Sequence, residues 1–347
     1  MKGKPLSYKD SGVNIDVAND AKRDMARILD ERSARVLNKV GAFASLFDVA
    51  FPEYRHPVLV LKTEEPGSKQ KLAFEHGSID TICRDLVNHL VNDVIVMGAR
   101  PLSVQDCIVC GRLDKDIVLK LVQSMAEACK ENGCVLTGGE TSEQPGVVPA
   151  GTYVLTASIV GIVEKERIID GARIREGDVV LGLAASGVHT NGLSLIRKVM
   201  ESSPQILNEK VDGKNFIEAL LTPHRAYYNA VKDLFPEEGL TGLAHITGGG
   251  IKENLNRILP KDVNAHIDLS KYRILPIFSA LKKYGGLEDA DMLRTFNMGV
   301  GMAVVVRPAF VEEALAHFKA SGVVAYEIGA ITQGEGAVEP EGELAWD

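Results

Sequence analysis

DTICRDLVNHLVNDVIVMGARP at 80–101, followed by SVQDCIVCG at 103–111, reads as a helix that runs directly into a strand. Ile82, Leu86, Leu90 and Val94 recur at the spacing of one helical stripe, and Gly98 and Pro101 end the pattern. The same succession continues in both directions. Upstream, the apolar pattern predicts a helix from Asp20, capped by Asn19 or Asp20, to about Phe51, and then a strand at HPVLVL, 56–61. Downstream come a helix at 118–133 closed by Gly133, the strand-to-loop run VLTGGE at 135–140, and the β-branched strand TYVLTASIVGIVE at 152–164. A fresh strand starts after the Gly-Asp turn of REGDVVLGLAASG, 175–187, which sets a domain boundary near Glu166–Gly171. Interleaved strands and helices make this an α/β (α+β) chain. Its expected parts are an extended arm at 1–19, a first domain at 20–168 and a second at 169–347.

The 347 residues exceed the usual single-domain size of roughly 100–200, in keeping with two cores. Hydrophobic residues are 45% and charged residues 25%, the balance of an ordinary globular protein. With 39 Lys and Arg against 47 Asp and Glu, the net charge of −8 argues against a dedicated nucleic-acid binder. Anionic small molecules stay open, because backbone N–H groups at helix starts bind phosphate without net positive charge. The opening MKGKPLSYKD is not followed by a signal-peptide core, and no run of ~18 apolar residues could span a membrane, so the expected location is cytoplasmic. Five cysteines do not make a disulfide framework, and Cys107 and Cys110 in one strand should face opposite ways, so buried, reduced thiols are expected.

Three glycine-rich junctions carry the chemical signal: LTGGETSEQPG at 136–146, ASGVHTNG at 185–192 and HITGGG at 245–250. Glycine lets a backbone approach phosphate, and in the last two a helix-like segment follows. One such loop is weak evidence; several in one chain favour a phosphorylated substrate. Asp85, His89, Asn92 and Asp93 share one polar face of the 80–98 helix, a face that either meets solvent or holds Mg²⁺. Asp106 sits among Val104, Ile108 and Val109, where a carboxylate needs a partner or a metal. Glu64 and Glu140 add acids at strand ends, and Lys69 adds a cation suited to Mg-ATP. No Walker A loop or kinase glycine loop occurs.

Taken in order, SYKDSGVNID (7–16), the 80–102 helix, the strand around Asp106, LTGGETSEQPG, ASGVHTNGLSLIRK (185–198), LTPHRAYY (221–228), HITGGGIKENLNRILP (245–260) and MLRTFNMGVGM (292–302) resemble the aminoimidazole ribonucleotide synthetase family over nearly the whole chain. The resemblance implies a homodimer whose N-terminal mixed sheets form a shared barrel, with a C-terminal α/β domain completing each active site. It implies ATP-dependent ring closure of formylglycinamidine ribonucleotide in purine synthesis, with ATP and Mg²⁺. It implies catalytic roles for His189, Asp93 and Lys69. Lys9, Asp10, Asn92, Asp106, Gly138, Gly139, Glu140 and Thr141 would meet ATP, and Thr190, Asn191, Gly192, His245, Gly248, Gly249 and Gly250 the substrate. Glu64, Asp93 and Glu140 would hold metal. One loop departs: where the family has T-D-G-V-G-T-K, this chain reads Thr63-Glu64-Glu65-Pro66-Gly67-Ser68-Lys69. The longer acid, the added charge and the loss of an N–H at Pro66 alter a phosphate loop. Alternatives are another ATP user of the superfamily, such as a selenophosphate synthetase or the hydrogenase-maturation dehydratase, or a nucleotide-binding paralogue that has lost turnover.

Overall fold

The stripe of Ile82, Leu86, Leu90 and Val94 is fully buried, and it fastens the helix Ile79–Ile95 to a four-stranded sheet. The computed structural model of the chain describes residues 15–29 and 33–346, so Lys9 and Asp10 lie outside the described residues. In chain order the first half comprises α1 (Ile15–Ile28), β1 (Pro57–Glu64), α2 (Lys69–Glu75), α3 (Ile79–Ile95), β2 (Arg100–Cys110), α4 (Lys115–Glu131), β3 (Val135–Glu143) and β4 (Tyr153–Glu164). The second half opens with β5 (Val179–Ala184), α5 (Leu193–Ser202), a small hairpin of β6 (Lys210–Val211) and β7 (Lys214–Asn215), α6 (Phe216–Leu220) and α7 (Tyr228–Val231). It continues through β8 (Leu240–His245), α8 (Gly250–Leu255), β9 (Val263–Asp268), α9 (Pro276–Gly285), α10 (Asp289–Thr295), β10 (Val300–Val306), α11 (Val311–Ala320), β11 (Ala325–Gln333) and β12 (Val338–Glu341).

The first sheet has the order β1-β4-β2-β3, antiparallel except for the parallel β2/β3 pair. Its inner face, with Val104, Ile108, Leu155 and Ile159 buried, lies under α3 and α4. Helix α4 starts where Asp114 accepts hydrogen bonds from the amides of Asp116 and Ile117, a cap typically worth about 1 kcal/mol. The second sheet has the order β12-β9-β11-β5-β10-β8. Every residue of β8 and β10 is buried, and β10, VGMAVVV, accordingly reads as a continuous apolar run rather than an alternating one, while β8, LTGLAH, carries Thr241 and His245 in its buried row. Burying a large aliphatic side chain gives roughly 1.5–3 kcal/mol, so these runs hold the second half together.

Two expectations need correction. The helix expected from Asp20 to Phe51 instead spans Ile15–Ile28, so it takes in the end of the supposed extended arm, and 33–51 is irregular but for a bridge between Val36 and Phe47. Local side-chain bonds replace the helix there: the Asn38 amide donates to Ala44 O at 2.7 Å and accepts from Leu46 N at 2.8 Å, and Asp48 accepts from Ala50 N. The polar face of α3 is not solvated either. Asp85, Asn88, His89 and Asn92 are buried against the second half of the chain. All five cysteines are free thiols; Cys83, Cys110 and Cys129 are buried as expected, whereas Cys107 and Cys134 are only half so.

Candidate active site

An irregular segment, 222–227, runs along the buried polar face of α3 and takes its backbone partners from it. Asn88 Nδ2 donates to His224 O at 2.7 Å, Asn92 Nδ2 donates to Arg225 O at 2.8 Å, and Tyr227 N donates to Asn92 Oδ1 at 3.0 Å. His224 N donates to Asp85 Oδ1 at 2.6 Å. A buried segment without strand or helix partners needs such donors and acceptors, which is why Asn and Asp occupy this face. Lys69, expected to face phosphate, is fully buried instead. Its ammonium pairs with Asp85 at 2.8 Å and donates to Thr222 O at 2.9 Å, so it joins the two halves and has no exposed N–H to offer.

The same contact surface gathers four histidines: His89 and His245 flank Asp93, while His224 touches His245 and stacks on His189. His245, at the end of β8, holds Asp93 Oδ1 through Nδ1 at 2.7 Å, and its Nε2 lies 2.9 Å from His224 Nε2. Thr190 Oγ1 lies 3.4 Å from His224 Nδ1 and 3.0 Å from His89 Nδ1. Burial, and the proximity of His245, push His89 down to about 4. Burial holds His189 and His224 well below the usual range. Burial alone would raise the Asp93 carboxyl, yet the His245 hydrogen bond and the neighbouring His89 and Lys62 hold it well below the carboxylate range. His245 Nδ1, facing the ionised Asp93, is the donor of that pair, and from it a continuous chain of close contacts runs through His224 and Thr190 to His89.

His189 does not face an open cleft. It stacks on His224 at 3.9 Å, accepts from Ser186 N at 3.3 Å, and leaves Nδ1 buried without a hydrogen bond among the described residues. It also holds a left-handed backbone, φ 57°. Strain and an orphaned polar atom, each of order 1–3 kcal/mol, at one residue of a site are the pattern of a position kept for function. Thr190 is buried, and Asn191 and Gly192 are half-buried beside it. In the third junction the amides of Gly249 and Gly250 already donate to Arg294 O and Thr247 O. A Cβ on Gly250 would sit 1.9 Å from Leu293 O, so glycine there serves close packing.

On the sheet side, Glu64 and Asp106 are the register partners of Ala157 from its two flanks, so they leave the same face. Lys62, two residues before Glu64 on β1, joins them: its ammonium lies 3.0 Å from Glu64 and 3.0 Å from Asp93. Asp106 is buried with no side-chain partner among the described residues, and burial with nearby Glu140 pushes it up to about 6. Gly139 is its register partner, with Gly138 before it and the exposed Glu140 and half-buried Thr141 after. The groups of three metal-ligating side chains within 4.8 Å among the described residues are His189 with His224 and His245, His89 with Asp93 and His245, and His266 with Glu339 and Glu341. None combines Glu64, Asp93 and Glu140.

Sequence reasoning left Lys62 and His224 without a role, and took His89 only as a member of the polar face it shares with Asp93. The available signals were the two-residue offset of Lys62 from Glu64 on one strand face and the four-residue offset of His89 from Asp93 on one helix face. The divergent loop 63–69 packs on the junction at 185–192: Pro66 is buried, Ser68 Oγ lies 3.3 Å from Ser194 Oγ, and a Cβ on Gly67 would sit 3.4 Å from Thr190 O.

The raised carboxyl of Asp106 has a testable sign. With its folded value near 6 and its ordinary value 3.8, this group's contribution to stability is complete below about 4 and is lost as pH rises to about 6. Asp106→Asn is expected to stabilise the metal-free protein at pH 7 by about 1–2 kcal/mol and to leave it unchanged near pH 4. Denaturant unfolding at the two pH values measures this, and equal effects at both would refute it.

The chain matches two family models, described as AIR synthase related protein, N-terminal domain, over residues 54–163, and AIR synthase related protein, C-terminal domain, over residues 175–339. It is 44% identical over 328 residues to phosphoribosylformylglycinamidine cyclo-ligase of Burkholderia cenocepacia, covering 94% of this chain and 93% of that one. Among solved structures, thiamine-monophosphate kinase from Stenotrophomonas maltophilia has a TM-score of 0.66 at 18% identity, covering 94% of this chain and 97% of that one. Hydrogenase maturation protein HypE in complex with ATP has a TM-score of 0.66 at 20% identity, covering 95% and 92%. At those identities the likeness is one of fold.

Proposed function

The chain belongs to the phosphoribosylformylglycinamidine cyclo-ligase family, and on that premise we propose that the region where α3, the 63–69 loop and the 185–192 junction meet is where it carries out the family's reaction. The activity is ATP-dependent closure of formylglycinamidine ribonucleotide to aminoimidazole ribonucleotide, with ADP and phosphate released. Phosphoryl transfer turns the amide oxygen into a leaving group, and the amidine nitrogen closes the ring. The protein's share is positioning and charge neutralisation. The observation that carries the assignment is the Asp93–His245–His224–Thr190–His89 chain, which links residues from both halves at one place. It suits a reaction in which an N–H proton must leave as the ring closes.

In this reading Asp93 and His245 act at the reacting end, and Thr190, Asn191 and Gly192 border the substrate. His189 orients His224 through its stacked ring, and Lys69 and Asn92 hold the 222–227 segment. The glycines at 248–250 shape the second-domain wall. Gly138, Gly139, Glu140 and Thr141 border ATP, together with Lys9 and Asp10 of the arm. For Mg²⁺ the fit is uneven. Asp106, a buried carboxylate lacking a side-chain partner among the described residues, suits a hard cation with Glu140 near it. Glu64 and Asp93 already share an ammonium. When bound, Mg²⁺ would neutralise phosphate charge.

The reading extends to two domains, 20–168 and 169–347, a cytoplasmic location and a homodimer. The outer face of the first sheet supports the dimer: Leu59 is 53% exposed, Leu61 69% and Val154 36%, a patch that a second copy would cover. No helix among the described residues is long and apolar enough to cross a membrane.

The direct test is an assay of ring closure with ATP and the formylglycinamidine nucleotide; absence of product at every Mg²⁺ concentration would sink the activity. Replacing Glu64-Glu65-Pro66 with Asp-Gly-Val in the same assay is expected to change KM for ATP several-fold, because this loop packs on the 185–192 junction. A native chain that is inert beside an active revertant would instead identify a paralogue without turnover.

A further inference from the structure

Lys62 stands where two carboxylates converge. Its ammonium lies 3.0 Å from Glu64 Oε2 and 3.0 Å from Asp93 Oδ2, while Asp93 Oδ1 is taken by His245 at 2.7 Å. His89 Nε2 closes the surround, 3.7 Å from Asp93 and 3.9 Å from Glu64. Both carboxylate oxygens of Asp93 are therefore committed. Mg²⁺ demands oxygens at 2.0–2.1 Å in octahedral geometry and keeps several waters. An ion seated between Glu64 and Asp93 would have to displace this ammonium and then sit beside it.

We propose that Lys62 is a built-in counter-cation for the Glu64–Asp93 pair, standing in for a divalent ion and presenting one N–H to the phosphate end of the bound nucleotide. An ammonium has three donors, and two are used by the carboxylates. The side chain is 37% exposed, so the third donor is open to solvent and to a ligand arriving from it, and no other partner for it occurs among the described residues. Lys62 projects from the same strand face as Glu64, beside the divergent loop, so the lengthened acid and the lysine act as one unit. A fixed monovalent charge cannot exchange with solvent. Nucleotide binding at this point is thereby independent of free Mg²⁺, and the metal requirement falls on the Asp106 side.

This inference rests on the cyclo-ligase reading for the identity of the nucleotide, but its first test does not. Nucleotide-free wild-type protein, Lys62→Met and Lys62→Gln are titrated with Mn²⁺ and the free ion is followed by electron paramagnetic resonance. The two variants should each gain one Mn²⁺ per chain, or bind one at least tenfold more tightly than wild type, and adding Glu64→Gln should abolish the gain. Affinity for a nonhydrolysable ATP analogue without metal should fall about tenfold in Lys62→Met and recover when Mn²⁺ is added. Equal Mn²⁺ stoichiometry and affinity in wild type and both variants would overturn the proposal. So would a wild-type Mn²⁺ that disappears on Glu64→Gln. Failure of ring closure in the wild type, with the Mn²⁺ result intact, would count against the activity alone.

Discussion

Asp93→Asn is expected to lower the rate of ring closure by at least about 100-fold, close to 2.7 kcal/mol of lost transition-state stabilisation, while leaving the protein folded. The substitution is nearly isosteric, but it removes the charge that holds two donors. Asp93 accepts from His245 on one oxygen and faces Lys62 on the other. An amide keeps one acceptor and turns an NH₂ toward the second donor, so either the histidine or the lysine is released. Release of His245 also breaks the chain of contacts that runs through His224 and Thr190 to His89. ADP release in the presence of the formylglycinamidine nucleotide, run beside size exclusion and thermal unfolding, separates chemistry from folding. Turnover within a few-fold of wild type would show that Asp93 is a packing residue.

The second large effect is on stability. Lys69→Met should destabilise the fold by about 3–5 kcal/mol, because it strands the Asp85 carboxylate in a fully buried position. The loss exceeds what a surface ion pair contributes, which is about 0–1 kcal/mol. Adding Asp85→Leu to Lys69→Met should recover part of the loss by removing the unpaired charge, although His224 N then loses its acceptor. Denaturant unfolding of the two single variants and the double variant gives the coupling. Additive losses would mean that the pair is not coupled as the 2.8 Å contact requires.

These two predictions separate residues that the sequence treats alike. Asp93 and Lys69 both sit in family motifs and both carry charge, so motif position assigned each to catalysis. Tertiary packing divides them: Asp93 retains 18% side-chain exposure, and Lys69 retains none. His224 illustrates the reverse. It stands after Thr-Pro in a segment without periodicity, inside the LTPHRAYY motif but with no role drawn from it, yet it touches His189, His245 and Thr190.

Periodicity and turn residues were enough to determine α3, α4, β1, β2, β3, β4 and β5, because those signals act within a few residues of the chain. The ordered motifs were likewise enough for the family. The region 33–51 went the other way, since side-chain bonds from Asn38 and Asp48 compete with a helix at no visible cost in hydrophobic pattern. Only the tertiary structure decided that the polar face of α3 is an internal seam, that the histidines from 89, 189, 224 and 245 meet, and that Lys62 lies between Glu64 and Asp93. The reason is physical. Whether a polar face meets water or another backbone, and whether a carboxylate meets a lysine or a metal, depends on which distant segment packs against it, and the spacing of residues along one strand or helix carries no record of that choice.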